Sequence, residues 1–440
     1  MRVMGDTALV IGGGFAGMLA ARVLADFFRR VIVFEKDLLA DDPRPRRGVP
    51  QGPHIHGPLL GTIHILSELF PGLPSELAVS GASRVNNGIG IRTFARGRWV
   101  PQRDFGLHFP MQTRGLLEHV IRKQLCSIPN VSTRRGCRVL GLLHRNGSIA
   151  GVVVRESGSS DEAIEGDLVV DASGRGSRAR RWLADFGYGE PHVSQINVDV
   201  RYVSCLVRIP PGYPDARIGL RIRDGSRTGA CFPVENDRWI VSLSGRFGDY
   251  PPTEAGGFIQ YAEAICPEMA RRLTAGEISK LMPYYFPASL HWHYEAMPLF
   301  PRRFLPIGDT VMCLNPVYGQ GMATAGFQAK TLAAELAARR ASGLDLEGLA
   351  GNVLRRNVDV LEYPWRTAAI GDFELDQTTG HRPAGLTASA RFAQSLAALA
   401  ANDAEVHRVS LRVQQLLDAP DALVHSGIRD RVLAHLASCA

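Results

Sequence analysis

Lysine is nearly missing from this chain. Of 50 basic residues only Lys36, Lys123, Lys280 and Lys330 are lysines, set in an Ala-rich background. The arginines are interspersed with 43 acidic residues, so the formal charge of +7 comes with no dense basic block and no aromatic-basic pattern. Nucleic-acid binding is therefore poorly supported. The cysteines also lack company. Cys126, Cys137, Cys205, Cys231, Cys266, Cys313 and Cys439 are scattered and none forms a CxxC pair, which reads as free thiols of a reducing compartment, several of them in the core. No apolar run reaches the ~18 residues of a membrane span. The apolar N-terminus reads as a strand and not as a signal peptide, so a cytoplasmic protein without stable membrane insertion is expected. Internal repeats and low-complexity linkers are missing too. With 440 residues and 45% hydrophobic content, the chain has room for two or three domains and a large core.

What is present is concentrated first in Ala8 to Asp37. An apolar run, Ala8 to Ile11, enters a Gly12-x-Gly14-x-x-Gly17 turn. A helical period follows, with Met18, Ala21, Leu24 and Phe28 facing one way, and a β-branched run, Val31 to Phe34, ends at Glu35. This spacing predicts a βαβ unit that holds a dinucleotide. Unpaired N–H groups and the dipole at a helix N-terminus favour a pyrophosphate, and only glycine lets the phosphate come that close. Gly12 permits the tight turn, Gly14 the phosphate contact and Gly17 the packing of helix on strand, while Glu35 can accept bonds from ribose hydroxyls. Phe15, Ala16 and Lys36 flank these positions and join the candidate cofactor set.

The segment Asp41 to His56 is rich in Pro, Gly and charge and reads as a loop. Beside a dinucleotide site it can bring Arg46 or Arg47 to the cofactor, or it can be a solvated arginine cluster; spacing leaves both open. His54 and His56 stand two apart without a third or fourth ligand at zinc-like spacing, so no metal site is expected. Helices are expected over Leu59 to Phe70 and Gln112 to Leu125, the latter carrying Arg114 near its start. Hairpins are expected at Arg96-Gly97 and Asn146-Gly147. Asp167 to Asp171 reads as a buried strand running into the small-residue turn Ala172 to Ser177. Ser194 to Ser244 is the most β-rich part, and Tyr284 to Trp292 adds aromatics that can line an apolar cavity or simply fill the core. Phe304 to Asp309 is a short apolar run ending in an acid, followed by Asn315 to Met322 and a long Ala-rich helix, roughly Ala323 to Ala341. The remainder reads as helices, among which Val406, Val409, Val413 and Leu417 form a docking stripe.

Three separated motifs thus point to one cofactor: Gly12 to Glu35, Asp171 to Ser177, and Gly308-Asp309 with Asn315 to Met322. Together they resemble the class A flavoprotein monooxygenases, the fold of para-hydroxybenzoate hydroxylase and squalene epoxidase, over about residues 5 to 340. The resemblance implies FAD, with Gly12, Gly14, Gly17 and Glu35 on its ADP half. It places Arg47 and Arg114, with Arg46, Asp171, Gly174 and Asp309, near the diphosphate and ribityl chain, and the Gly319, Gly321, Met322 backbone under the flavin ring. Asp171-Ala172 stands where the family has Asp-Gly, the glycine being delayed to Gly174. That version, with Pro50 to Gly57, is nearer to squalene epoxidases, geranylgeranyl reductases and above all polyether-pathway epoxidases and related polyketide-tailoring flavoproteins. Halogenases share the fold but carry an early catalytic lysine and a Trp-x-Trp-x-Ile-Pro signature, and neither occurs here.

The expected fold class is α/β. A discontinuous Rossmann-like FAD-binding domain is read at 1–80, 111–190 and 296–345, an antiparallel β-rich substrate domain at 81–110 and 191–295, and a helical region at 346–440. The activity this implies is a monooxygenase that uses NAD(P)H as a transient electron donor and passes one oxygen from a flavin C4a-hydroperoxide to a large apolar substrate, such as a polyene or polyketide. Epoxidation is favoured because no side chain in the sequence stands out as a base for phenol hydroxylation. The alternative keeps FAD but not its redox chemistry, as in a Diels-Alder cyclase of a polyene. Pro316, Val317, Tyr318 and Gly319 are expected beside the ring, and Phe232, Trp239 and Trp292 in the substrate wall.

Overall fold

The computed structural model describes residues 3–438. Cys439, one of the seven thiols, lies outside them. The other six cysteines are unpaired; Cys126 is exposed and the rest are buried.

The βαβ unit forms as expected: β1 (Gly5–Ile11), α1 (Phe15–Ala25) and β2 (Phe28–Glu35). β1 lies between β2 and the strand Leu168–Asp171, parallel to both. Val131–Arg135 and Phe304–Pro306 complete this five-stranded parallel sheet at its two edges. Ala8, Leu9 and Val10 are completely buried, as a central strand covered on both faces requires, and hence read as an unbroken apolar run. The helix Gly321–Ala341 packs against α1, and a three-stranded antiparallel sheet (Cys137–Arg145, Ser148–Glu156, Glu162–Glu165) packs against the central strands. Its first two strands turn at Asn146-Gly147, the predicted hairpin.

A second, larger sheet of nine strands stands apart from the parallel one. Its centre is antiparallel: Met282–His293, His192–Arg208, Arg238–Arg246, Arg227–Val234 and Gly219–Asp224, in that order. Ile91–Ala95 adds to it in parallel and turns back at Arg96-Gly97 into Arg98–Trp99. Met312–Cys313 and Thr379–Gly380 also pair into it, from segments that the sequence reading had assigned to the FAD-binding and helical regions. Helices Ala255–Ile265 and Pro267–Ala275 cover its back, burying Phe258 and Met269 against Trp239, Val241 and Leu243.

The C-terminal helices dock on the rest of the chain. Leu349–Asp372 packs on the Gly321–Ala341 helix. Val406 and Val409 of the predicted stripe bury with Ala400, Ile428 and Val432 among the C-terminal helices themselves. Leu417 instead packs beside Leu60 and Phe109. There the Gln415 backbone carbonyl accepts from the Gly61 N–H (2.8 Å) at the start of the Leu60–Leu69 helix.

Candidate functional site

One cavity of about 2880 Å³ runs from the glycine turn to the C-terminal helices. Small-molecule pockets usually measure ~300–1,000 Å³, so this space can take a dinucleotide and a second large molecule together.

At one end are Gly12, Gly14, Phe15, Ala16, Glu35 and Lys36, all lining the cavity. Gly12 has φ +97°, and a Cβ on Gly17 would lie 1.8 Å from the Gly12 carbonyl, so the turn and the helix packing both demand glycine. Gly14 caps α1 without any side-chain bond, and a Cβ there would meet nothing closer than an Arg46 nitrogen at 3.9 Å. The first-turn N–H groups of α1 are thus left for a ligand anion. Glu35 accepts from the Gly13 and Asp37 N–H groups, each at 2.9 Å. Arg46 joins it at 3.1 Å and spans to Glu118 at 3.0 Å, which Arg114 also meets at 2.8 Å. Burial alone would raise the Glu118 carboxyl; the two guanidiniums outweigh it and hold Glu118 below the usual range. Arg46 and Arg114 face the cavity, whereas Arg47 is exposed and does not line it.

Asp171 is elsewhere than in the cavity wall. It is fully buried, and its two oxygens accept from the Ser173 N–H and hydroxyl and from the Ser177 hydroxyl. Its work is to fold the turn that presents Gly174 and Arg175, both of which do line the cavity. Asp309 faces the cavity with no hydrogen bond or ion pair to any described residue. Burial raises its carboxyl, with Arg114 and Arg175 pulling the other way. A carboxylate held so, with two guanidiniums near, fits a chain of hydroxyl groups ending in phosphates.

Further in, Pro316, Val317, Tyr318, Gly319, Gln320, Gly321 and Met322 line the cavity. Gly319 takes the left-handed conformation (φ +67°) that turns the chain into the Gly321–Ala341 helix, whose N-terminus has no side-chain cap. A Cβ on Gly321 would meet nothing within 4 Å. This is a second bare helix N-terminus aimed at the same space.

The loop is anchored from beneath by a buried polar knot absent from the sequence reading. The Asp372 Oδ1 accepts from Arg246 (2.7 Å), from the Asn315 amide (2.7 Å) and from the Tyr318 hydroxyl (2.9 Å). Asn315 in turn accepts from the Tyr202 hydroxyl at 2.9 Å. Arg246 and Asp372 are 5% and 0% exposed. No sequence motif links Arg246 with Asp372, which stand 126 residues apart; only the docking of the Leu349–Asp372 helix brings them together.

The front face of the large sheet forms the far wall, with Thr93, Arg221, Arg223, Ala230, Phe232, Ser242, Ser244, Tyr284 and Phe286 facing the cavity. Of the residues expected in the substrate wall, Phe232 lines the cavity, and Trp239 and Trp292 do not. Trp239 is buried at the back, donating its indole N–H to the Ala216 carbonyl, and Trp292 is buried under Arg180. Arg221 opens onto the cavity without a carboxylate partner among the described residues, and burial lowers its proton affinity. Opposite the sheet lie apolar side chains of the C-terminal helices, including Phe392, Leu396, Leu423 and Leu436. His54 also lines the cavity. Its Nδ1 meets the Ser204 hydroxyl at 2.7 Å, its ring packs against Tyr202 and Tyr284, and burial pushes it down to about 4, so it is neutral at pH 7.

No protein-family model matches the chain. Protein Rv3254 of Mycobacterium tuberculosis is 31% identical, aligned over 98% of this chain and 94% of its own length. The chain belongs to the family of Rv3254. Kynurenine 3-monooxygenase of Salinispora tropica is 26% identical, over 73% of this chain and 70% of that protein. Among solved structures, the flavin-dependent halogenase CmlS superposes with a TM-score of 0.67 at 17% identity, covering 95% of this chain and 78% of CmlS. The fold is therefore that of the class A FAD-dependent monooxygenases and halogenases: a Rossmann-like parallel sheet, a second large sheet and C-terminal helices. The likenesses spread over this whole class and do not single out the squalene-epoxidase or polyether-epoxidase branch.

Proposed function

We propose that this Rv3254-family protein binds FAD and is a monooxygenase that inserts one oxygen into a large apolar substrate. The observation that carries this reading is the continuity of the cavity. The Gly12–Gly17 turn, the unpaired Asp309 carboxylate, the bare N-terminus at Gly321 and an apolar chamber all open on one space. The residues present fit FAD: α1 would meet the pyrophosphate, Glu35 the ribose in exchange with Arg46, Asp309 the ribityl hydroxyls, and the Gly319–Met322 backbone the ring. When bound, the cofactor supplies electrons taken from NAD(P)H to activate oxygen, so that substrate gains one oxygen atom and the other leaves as water. The chain's own part is to orient the substrate against the large sheet and, with the C-terminal helices, to exclude water.

Alkene epoxidation is the favoured chemistry, because it needs no protein base, and Glu374, the carboxylate that lines the cavity beside Tyr318, is already paired with Arg96 and Arg223. His54 is neutral, its Nδ1 taken by the Ser204 hydroxyl and its ring packed against Tyr202 and Tyr284. Halogenation is disfavoured. Lys36, at the dinucleotide end, is the one lysine among the residues lining the cavity. The test is to reconstitute the protein with FAD, add NADPH in air and present a panel of polyenes. A product heavier by one oxygen is expected. A flavin that stays oxidised while a polyene is cyclised without added oxygen would overturn the monooxygenase in favour of a non-redox cyclase, and gain of two hydrogens would make it a reductase.

A further inference from the structure

The strand Met282–His293 carries a second cluster of chemistry at its end, outside the cavity. His291 and His293 stand two residues apart in a strand, hence on one face. Their ring centroids are 4.2 Å apart, and Glu295 follows in the next turn. One donor atom from each of the three lies within 4.8 Å of the others. In the sequence these histidines stand among aromatics, without the zinc-like spacing that predicts a metal site.

From this geometry we infer that His291, His293 and Glu295 form a binding site for one first-row divalent ion of the zinc type. Two imidazoles and a carboxylate are a donor set such ions accept, with ligand bonds of about 2.0–2.2 Å. Donors on one ion then lie about 3–4 Å apart, which these side chains reach by small rotations. The surroundings already hold the ligands as a metal site needs. The His293 Nε2 meets the Ser194 hydroxyl at 2.9 Å, which leaves Nδ1 to face the Glu295 carboxylate at 2.8 Å. The ion would take the place of the proton shared by Nδ1 and Glu295, and such outer partners commonly set ligand orientation. His291 is 8% exposed, so a ligand bound there would be largely shielded from water. His192, opposite His293 in the sheet register with rings 5.5 Å apart, stands ready as a further donor.

The site would join three parts of the fold. His291 packs on Trp365 of the Leu349–Asp372 helix, ring centroids 5.6 Å apart, and the strand Thr379–Gly380 pairs with Ile196 and Asn197 next to Ser194. A bound ion would thus fix the end of this strand where it meets the Leu349–Asp372 helix.

The test uses tag-free, FAD-loaded protein stripped with chelator, then titrated with Zn²⁺ by calorimetry and with Co²⁺ by ligand-field absorption to the red of the flavin bands. Wild type should bind one ion per chain. His293→Asn and Glu295→Gln should each weaken binding by at least ~10-fold, and Ser194→Ala should weaken it less. His64→Asn, an exposed histidine elsewhere, should change nothing. Retained flavin content reports that each variant is folded. Failure of the wild type to bind stoichiometrically, or equal binding by His293→Asn and Glu295→Gln, overturns the site.

Discussion

The Arg246–Asp372 pair offers the sharpest test of how the loop beside the proposed flavin is held. The two charges are 2.7 Å apart and 5% and 0% exposed. At an effective dielectric of about 20, their attraction is about 332/(20 × 2.7), or roughly 6 kcal/mol, much of it offset by the cost of taking both out of water. The net value of the pair is therefore small, but breaking it is costly. Arg246→Met leaves Asp372 buried without its cation, so that it either keeps an uncompensated charge or takes up a proton, as the burial that already raises its carboxyl favours, and Asp372→Asn leaves Arg246 charged and buried. Each single change should cost about 3–5 kcal/mol, whereas the double variant should recover most of that loss. For 440 residues unfolding as one unit, at ~2.1 cal/mol/K per residue the entropy is about 0.9 kcal/mol/K, so each single variant should lower Tm by about 3–5 °C. Because the same Asp372 oxygen holds Tyr318 and Asn315, the single variants should also release FAD more readily. Thermal melts of wild type, both singles and the double, read by tryptophan emission and by flavin release, decide the matter. Singles within 1 °C of wild type, or a double variant that is simply the sum of the two, would refute the reasoning.

Gly17→Ala should give misfolded, colourless protein, because its Cβ would meet the Gly12 carbonyl at 1.8 Å, whereas Gly14→Ala, with nothing nearer than 3.9 Å, should fold and show weakened FAD affinity; flavin content beside apoprotein Tm separates the two. Asp309→Asn should lower FAD affinity yet raise apoprotein Tm at pH 7: an acid raised by burial binds protons more readily when folded, so it opposes stability once pH rises above its unfolded range near 3.8. Melts with and without FAD should therefore move in opposite directions. His54 behaves in the reverse sense. Lowered by burial from 6.5 to about 4, it takes up a proton more readily when unfolded, so its share of stability is complete above pH 6.5 and is lost as pH falls toward 4. That share is about 3 kcal/mol over its whole range, of which about 2 kcal/mol falls between pH 7 and pH 5, so at about 0.9 kcal/mol/K His54→Gln should flatten the fall in Tm over that interval by about 2 °C.

The glycine turn and its βαβ unit were legible in the sequence because their demands are local. A turn that only glycine can make, a helix that follows at once and an acid at the end of the next strand all sit within 30 residues, so spacing carries the geometry. Asp171 shows the limit of that logic. An acid at a strand end beside a small-residue turn looks like a ligand-binding group, yet here the serines two and six residues on consume both of its oxygens. The motif was visible and the direction of its side chain was not. His291, His293 and Glu295 were equally local, but strand alternation puts two histidines on one face only when the segment is known to be a strand, and aromatic neighbours hid the pattern.

The substrate wall was illegible for a different reason. In a sheet with one wet face, polar and apolar residues alternate and the parity of the core face can be read directly. Here the back of the sheet is sealed by Phe258 and Met269, and its front is closed by the cavity roof, so apolar residues occur at both parities. Phe232 and Trp239 lie in neighbouring strands, in which Phe232 pairs with Ile240 and Pro233 with Trp239. One residue of register therefore separates the front face from the back. A tryptophan is as much at home in either, and composition does not choose. What does distinguish the front is polarity that a sealed core would not tolerate: Ser242, Ser244, Arg221 and Arg246 all share it. In a sheet covered on both sides, the alternation to look for is a serine or arginine recurring at one parity among apolar neighbours, since only a face that meets a ligand or its solvent can keep such groups.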